Sequence, residues 1–311
     1  MAQVYLLLFA GLFLLFISGK YLVDSSVAIS RRLKIPRMII GLTVVAFGTS
    51  APELLVSLRA AIAGFPEIAI GNVVGSNISN ILLVLAITAF IFPIPAPASS
   101  VKRDWPLMMA ASILLFIFSL DGRISRLEGA VFVSLLAGYI LLSVLRSRDV
   151  KHFEANMNDP GRMAWWLAAG IFLLSCAGLA FGADLLVKNA AIIAEELGIS
   201  KRVVSITMVA IGTSIPEVVT SVIAALKKET DISVGNIIGS NIMNILSVLG
   251  LTSLISPITV SAEIARFDIP WMLGISLLLL LLLLPASRSR ITRWEGVFMI
   301  LIYLLYIYLI F

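Results

Sequence analysis

Hydrophobic positions in this chain neither alternate nor form narrow stripes. They run on for about 20 residues at a time, the length a helix needs to cross a ~30 Å hydrocarbon core. Polar breaks divide them into ten segments, at 3–24, 38–62, 67–92, 105–120, 127–145, 163–187, 203–226, 232–256, 268–285 and 294–311. The pattern predicts ten membrane-spanning helices. Two of these segments hold a position that the pattern does not explain. Between Met38 and Leu58 the only charge is Glu53, one residue after Pro52 in VAFGTSAPELLVS. The stretch VAIGTSIPEVVTS places Glu217 after Pro216 in the same way.

Both stretches belong to a repeat. Residues 41–61 align with 205–225 at an offset of 164, with 11 of 21 identical, and 68–87 align with 232–251 at the same offset, with 12 of 20 identical. Asp104 and Pro106 recur as Asp268 and Pro270. At a slightly larger offset Arg123, Glu128 and Gly129 recur as Arg290, Glu295 and Gly296. The chain therefore divides into two homologous halves of five spans, 1–146 and 162–311, joined by a polar linker at 147–161. Five is odd, so the second half must enter the membrane from the opposite side. The expected fold is an all-α integral membrane protein with ten transmembrane helices in two inverted five-helix repeats. In transporters of that plan the site lies near the midplane where the repeats meet, and interrupted helices build it.

Composition agrees and adds an orientation. A chain 60% hydrophobic and 13% charged, with a mean hydropathy of +1.06, lacks the charge that a soluble domain of this length carries on its surface. With the N-terminus outside, the cytoplasmic loops hold fifteen Lys and Arg residues and the opposite loops seven. That bias predicts both termini outside, and it reads the net charge of +5 as topology rather than as affinity for nucleic acid. The first apolar segment starts almost at Met1 with neither a basic leader nor a clear cleavage site, and is expected to be retained. The single cysteine, Cys176, excludes an internal disulfide and a cysteine-cluster metal site; His152, in a polar loop, could not build a zinc site alone.

The candidate chemistry is an oxygen set. On a helix Thr49 and Ser50 precede Glu53 by four and three residues, so all three share a face that Ser57 continues. Pro52 donates no hydrogen bond, and so is expected to free the Gly48 carbonyl and bend the helix. Thr213, Ser214, Glu217 and Ser221, with Pro216 and Gly212, repeat the arrangement. In GNVVGSNISN a second polar stripe joins Asn72, Ser76 and Asn80; in GNIIGSNIMN it joins Asn236, Ser240 and Asn244. Gly71 with Gly75, and Gly235 with Gly239, are read as packing devices between helices. Asp24, Asp104, Asp184 and Asp268 fall near span ends and read as interfacial, with Lys20 and Lys188 snorkelling. The glutamates are different. A charge at mid-bilayer costs at least a few kcal/mol, and no basic residue follows or precedes either one closely on its helix. A bound hard cation, which takes oxygen ligands, would be the economical partner.

The paired motifs GTSAPE with GNVVGSNISN and GTSIPE with GNIIGSNIMN resemble the alpha repeats of the calcium/cation antiporter superfamily, most closely its prokaryotic sodium/calcium exchanger branch. The resemblance covers nearly the whole chain. It implies that spans 2, 3, 7 and 8 form the ion-binding core and that the first helix of each half forms a mobile gate. It implies calcium ligands at Glu53, Glu217, Thr49 and Thr213. Sodium sites would add Ser50, Ser214, Ser76, Ser240, Asn80, Asn244 and the backbone carbonyls of Ala46 and Ala210. Two departures bear on coupling. Many relatives carry an acid where this chain has Asn244, and potassium-dependent ones carry acids at these asparagine positions, so neutral Asn80 and Asn244 argue against potassium. Proton-coupled relatives carry an acid where this chain has Gly75 and Gly239.

The function so implied is exchange of sodium for calcium by alternating access, in a chain that acts as a monomer in a prokaryotic plasma membrane. Its partners are the two ions and the lipid bilayer, with no nucleic acid and no cofactor. Calcium/proton antiport on the same glutamates is the alternative. An intramembrane hydrolase using Ser50 or Ser214 would need a histidine or lysine base beside the serine, and none stands close in the sequence. A passive channel would pass ions down any gradient without a counter-ion.

Overall fold

The computed structural model describes residues 2–95, 100–147, 163–197, 212–284 and 290–310. Helices α1 (Ala2–Leu33), α2 (Arg37–Thr49), α3 (Ala51–Ile62), α4 (Pro66–Ile91), α5 (Trp105–Ser119), α6 (Arg126–Ser147), α7 (Trp165–Glu196), α8 (Ile215–Leu226), α9 (Thr230–Ile255), α10 (Ile269–Leu283) and α11 (Arg293–Ile310) follow in order. Among the described residues seven helices are long and apolar enough to cross a membrane, or eight when α2 and α3 count as one bent span. The chain is a helical membrane protein. The expected seventh span, 203–226, is described only from Gly212 onward, and nearly all of the linker at 147–161 lies outside the described residues.

The apolar pattern ended the first and sixth spans too early. Both α1 and α7 run for 32 residues, about 48 Å at the helical rise. The added turns are polar, and in α1 they place Arg31 and Arg32 at the negative end of the helix dipole. Lys34 then adopts φ 54°, and the Ile35 N–H closes the end on the Ser30 carbonyl at 3.1 Å.

Equivalent helices of the two halves meet. A Cβ added at Gly11 would lie 2.9 Å from the Leu186 nitrogen, and one at Gly182 would lie 3.0 Å from Leu15 Cγ. Further along, Gly178 faces Ser18. Contacts descend α7 as they ascend α1, so this pair runs antiparallel. Small residues let their backbones approach. In the core, Gly235 and Gly239 do the same for α9 against α2. A Cβ at Gly235 would stand 2.7 Å from the Met38 carbonyl, and one at Gly239 2.6 Å from the Leu42 carbonyl. For Gly71 and Gly75, expected to pack likewise, nothing among the described residues lies within 4 Å.

Two apolar clusters result. The larger joins α4 and α9 to α5, α6, α10 and α11 through residues such as Ile81, Leu85, Phe132, Ile245, Leu249 and Met299. The smaller joins α1, α7, α2 and α8 through Leu15, Leu22, Ile40, Leu179 and Ile223. Helix α2 faces both, with Leu42 in the first and Val45 in the second. The most enclosed helices are α9 and α4, buried over 89% and 72% of their apolar windows, against 11% for α6.

The halves also match in their irregularities. π-helical turns at Asn80–Leu85 and Asn244–Leu249 interrupt α4 and α9, and others at Ser100–Asp104 and Ile264–Asp268 precede α5 and α10. Each pair is separated by the same 164 residues as the sequence repeat. Two-residue strands close the ends of the bundle: β1 (Ile94–Pro95) pairs antiparallel with β4 (Arg290–Ile291), and β2 (Arg123–Ile124) with β3 (Ile258–Thr259). Each ribbon takes one strand from each half.

Because the atoms facing Gly235 are all backbone, they cannot yield as a side-chain tip would. Gly235→Ala should therefore force α9 away from α2 and cost about 1–3 kcal/mol. Thermal unfolding in detergent should show a lowered melting temperature for Gly235→Ala. Gly274→Ala, with nothing among the described residues within 4 Å, should melt like the wild type.

Candidate functional site

The two glutamates start helices inside the protein. Helix α2 stops at Thr49, Ser50 adopts φ −83° and ψ 5°, and α3 restarts at Ala51 with its axis turned by 44°. Pro52 is the second residue of the new helix, where an N–H would have no helical acceptor, so the expected bend is present and takes the form of a helix break at Ser50. Glu53 is the third residue. Its carboxylate thus meets the positive end of the α3 dipole, while the last carbonyls of α2 point their negative end at the same gap. Ser214, at φ −85° and ψ −2°, precedes α8 in the same fashion, with Pro216 second and Glu217 third.

Both carboxylates are fully enclosed, at 0% exposure. Of the three ion pairs among the described residues, Arg37–Glu229, Lys188–Asp184 and Lys227–Asp24, none involves either one. Hydroxyls surround them: Thr213 beside Glu53, and Thr49, Ser50 and Ser240 beside Glu217. Only one of these contacts has hydrogen-bond geometry, Ser50 Oγ donating to Glu217 Oε1 at 3.4 Å. Both oxygens of Glu53 and Oε2 of Glu217 are buried without a hydrogen-bond partner.

The neighbouring hydroxyls and amides are held by exchange between the halves. Asn72 on α4 donates to Ser57 Oγ at 3.0 Å and to the Glu53 carbonyl at 3.4 Å, and its Oδ1 accepts from Thr213 at 3.3 Å. Asn236 on α9 donates to Ser221 Oγ at 3.1 Å and accepts from Thr49 at 3.1 Å. Ser76 lies 3.4 Å from Thr213, and Ser240 lies 3.3 Å from Thr49. Each threonine is therefore gripped by the other half. Ser57 and Ser221, read from the sequence as parts of the oxygen face, are positioned as anchors for the two asparagines. Among the described residues the exchange departs from symmetry at Ser214. Ser79 binds Ser214 at 2.8 Å, and the residue equivalent to Ser79 is Met243.

Sequence reasoning brought together most of this set: Glu53, Glu217, Thr49, Thr213, Ser50, Ser214, Ser76, Ser240, Asn80 and Asn244 come from the two helix breaks and the two helices packed across them. Asn80 and Asn244 each open a π-helical turn, and each leaves its Oδ1 buried and unpartnered. The Ala46 carbonyl accepts from the Ser50 N–H at 2.9 Å, and Thr49 Oγ1, whose shorter contact is to Asn236, lies 3.3 Å away. Ala210 lies outside the described residues. Asn77 and Asn241 were missed, as was Ser79. The i, i+4 stripe through Ser76 and Asn80 passes over Asn77, although the repeat of Asn77 as Asn241 was a usable signal.

Two carboxylates, four hydroxyls and two free amide oxygens, with no ion pair to a basic side chain among the described residues, are oxygen donors of the kind a hard metal ion takes. Comparison with known proteins identifies the family. The family model described as sodium/calcium exchanger protein matches the chain twice, over residues 3–145 and 167–311. CaxA of Alkalimonas amylolytica, named as a candidate antiporter, is 40% identical over 97% of this chain and 96% of its own length. The sodium/calcium exchanger MaX1 of Methanosarcina acetivorans is 34% identical over 99% and 98%. Among solved structures, the sodium-calcium exchanger NCX_Mj in crystals soaked without Na⁺ and Ca²⁺ superposes with a TM-score of 0.85 at 32% identity, covering 99% of both chains.

Enclosing a carboxylate without a partner costs several kcal/mol, and a bound cation removes that cost. In cation-free buffer Glu53→Gln and Glu217→Gln should therefore melt no lower than the wild type. Ca²⁺ should raise the wild-type melting temperature, because it binds only the folded form, and should leave both variants nearly unmoved. The exposed Glu67 on α4 supplies the control: Glu67→Gln should respond to Ca²⁺ like the wild type.

Proposed function

The chain belongs to the sodium/calcium exchanger protein family, and from that premise we propose that it exchanges Na⁺ for Ca²⁺ across the membrane by alternating access. The observation that carries this reading is the pair of fully enclosed carboxyl groups, Glu53 and Glu217, three of whose four oxygens have no hydrogen-bond partner. In this reading Ca²⁺ is held by Glu53, Glu217, Thr49 and Thr213. Na⁺ uses Ser50, Ser214, Ser76, Ser240, Asn80 and Asn244 together with the same carboxylates, and the carbonyls of Ala46 and Ala210. Competition supplies the coupling. Both ions need the same two charges, so each excludes the other. Empty, the site carries two negative charges that are costly to move past an apolar barrier; one Ca²⁺ or two Na⁺ neutralise it. Unproductive return of the empty carrier is thereby suppressed, and exchange becomes obligatory.

Alternating access rests on ten spans in two inverted repeats of five, with the segment that ends in α8 as the seventh. Two features support inversion. Helices α1 and α7, equivalent by position in the two halves, run antiparallel along their glycine contact. The strand after the third span of each half pairs with the strand after the fourth span of the other. Third and fourth spans of one half exit on opposite faces, so reciprocal pairing requires the two third spans to exit on opposite faces as well. In this reading α1 and α7 are the mobile gate, the chain works as a monomer in a prokaryotic plasma membrane, and both termini face outward.

Orientation follows from the fifteen-to-seven division of basic residues. In a Cys176→Ala background, a cysteine placed beside Arg123 should react with an impermeant maleimide from outside intact cells. One placed in the linker at 151–159 should react only after lysis, and the reverse pattern would overturn the orientation.

Transport itself is measured with the full chain in proteoliposomes. Vesicles loaded with Na⁺ should take up ⁴⁵Ca²⁺, whereas vesicles loaded with K⁺ should not, and a pH gradient alone should drive none. Glu53→Gln and Glu217→Gln should each lower uptake by orders of magnitude, since a doubly charged ion facing one carboxylate stays uncompensated in a low-dielectric site. Equal uptake from Na⁺-free vesicles under a pH gradient would replace sodium by protons in the mechanism.

A further inference from the structure

Four asparagines lie in the plane where α4 and α9 cross, and only two of them belong to the proposed ligand set. Asn80 Nδ2 donates to Asn241 Oδ1 at 3.1 Å, and Asn244 Nδ2 donates to Asn77 Oδ1 at 3.1 Å. Both bonds pass from one half to the other. Asn77 Nδ2 in turn faces the Asn241 carbonyl at 3.4 Å and Met272 Sδ at 3.6 Å, and Asn241 Nδ2 faces Met108 Sδ at 3.6 Å. Met108 and Met272 are themselves related by the repeat offset. All six side chains are buried to 1% exposure or less.

The order of these contacts fixes a direction. An amide can face a neighbour with its oxygen or with its NH₂, and a cation tolerates only the oxygen. Thioether sulfur and peptide carbonyl accept hydrogen bonds and cannot donate them. The NH₂ groups of Asn77 and Asn241 must therefore face Met272 and Met108. Their oxygens are then turned toward Asn244 and Asn80, whose NH₂ groups they occupy. That leaves the oxygens of Asn80 and Asn244 as the free ends, and both are buried without a partner.

We propose that Asn77 and Asn241, oriented by the sulfurs of Met272 and Met108, are positioning residues that hold the Asn244 and Asn80 amides with their oxygens toward the transported cation. This deepens the exchanger reading and rests on it. Without the lock, a ligand amide spends part of its time presenting NH₂, a local positive charge, to the ion. Affinity falls while the translocation machinery is left intact.

The test measures apparent KM for Ca²⁺ and maximal Na⁺-driven uptake separately, in proteoliposomes holding equal amounts of folded full-length protein. Asn77→Leu and Asn241→Leu should each raise KM by about tenfold, the effect of losing one buried hydrogen bond to a ligand amide, with maximal uptake within about twofold of wild type. Met272→Leu and Met108→Leu keep volume and apolarity and remove only the acceptor. They should raise KM by about threefold. If the asparagine variants fail to fold, the methionine variants carry the test alone. Unchanged KM in the folded variants, or reduced maximal uptake at unchanged KM, would show a packing role and overturn the assignment while the exchanger reading stands. Absence of Na⁺-driven Ca²⁺ uptake by the wild type would instead remove the reading, and the assignment with it.

Discussion

Two carboxyl groups enclosed together in a membrane protein, with no ion pair to a basic side chain among the described residues, set the terms for everything around them. Removing a carboxylate from water is affordable only where fixed dipoles or a counter-charge replace the solvent. Two carboxylates side by side make the demand greater, because each raises the cost of the other. The surroundings of Glu53 and Glu217 meet part of it. Each stands in the first turn of its helix, at the positive end, and hydroxyls of Thr49, Ser50, Thr213 and Ser240 lie against the pair. The remainder is left open, as three carboxylate oxygens without a partner. Unpartnered oxygens of this kind are the donors that a hard cation takes.

The architecture follows from that demand. A continuous helix offers no free N–H in its interior, so a helix has to begin inside the membrane for its N-terminus to reach a carboxylate there. Pro52 and Pro216 sit where a helix start tolerates them. Once helices are broken in this way, their exposed backbone must be covered by protein rather than lipid. Helices α4 and α9 provide the cover, which is why they are the most enclosed of the set. Gly235 and Gly239 bring α9 against the α2 backbone, and Asn72 and Asn236 supply hydrogen bonds at the breaks. Apolar packing on the outer side of α4 and α9 then holds them in register.

Much of this was legible in the sequence because membrane burial leaves few ambiguities. A run of about 20 apolar residues has one structural meaning in a lipid solvent, and a lone glutamate within such a run stands out as it would not on a soluble helix. The repeat did more: identical spacing around Glu53 and Glu217 marked the oxygen set before any coordinates. What escaped was whatever depends on contacts across the halves. The polar ends of α1 and α7 look like loop to a hydropathy reading, yet their backbone hydrogen bonds continue into water. The bend at Pro52 was legible, but not that it takes the form of a break two residues earlier, at Ser50. Asn77 and Asn241 were invisible to a helical-face argument. A π-helical turn begins at Asn80 and at Asn244, and the partners of these residues come from the other half.

Neither half holds a site. Thr49 is bound by Asn236 and Ser240 of the second half, and Thr213 by Asn72 and Ser76 of the first. The amides of Asn80 and Asn244 follow the same rule, Asn80 resting on Asn241 and Asn244 on Asn77. Such crossing makes the two helix breaks move as one assembly, because shifting either break against α4 or α9 tears bonds in both halves. It also makes the one departure from symmetry informative. Ser214 is held by Ser79, whereas Ser50, its equivalent, donates to Glu217, and the residue equivalent to Ser79 is Met243. Two positions related by the repeat thus differ in what their hydroxyls can offer an ion. The hydroxyl of Ser50 is committed to a carboxylate, that of Ser214 to a neutral serine, and the two sides of the site are chemically distinct although the backbone that builds them is nearly the same.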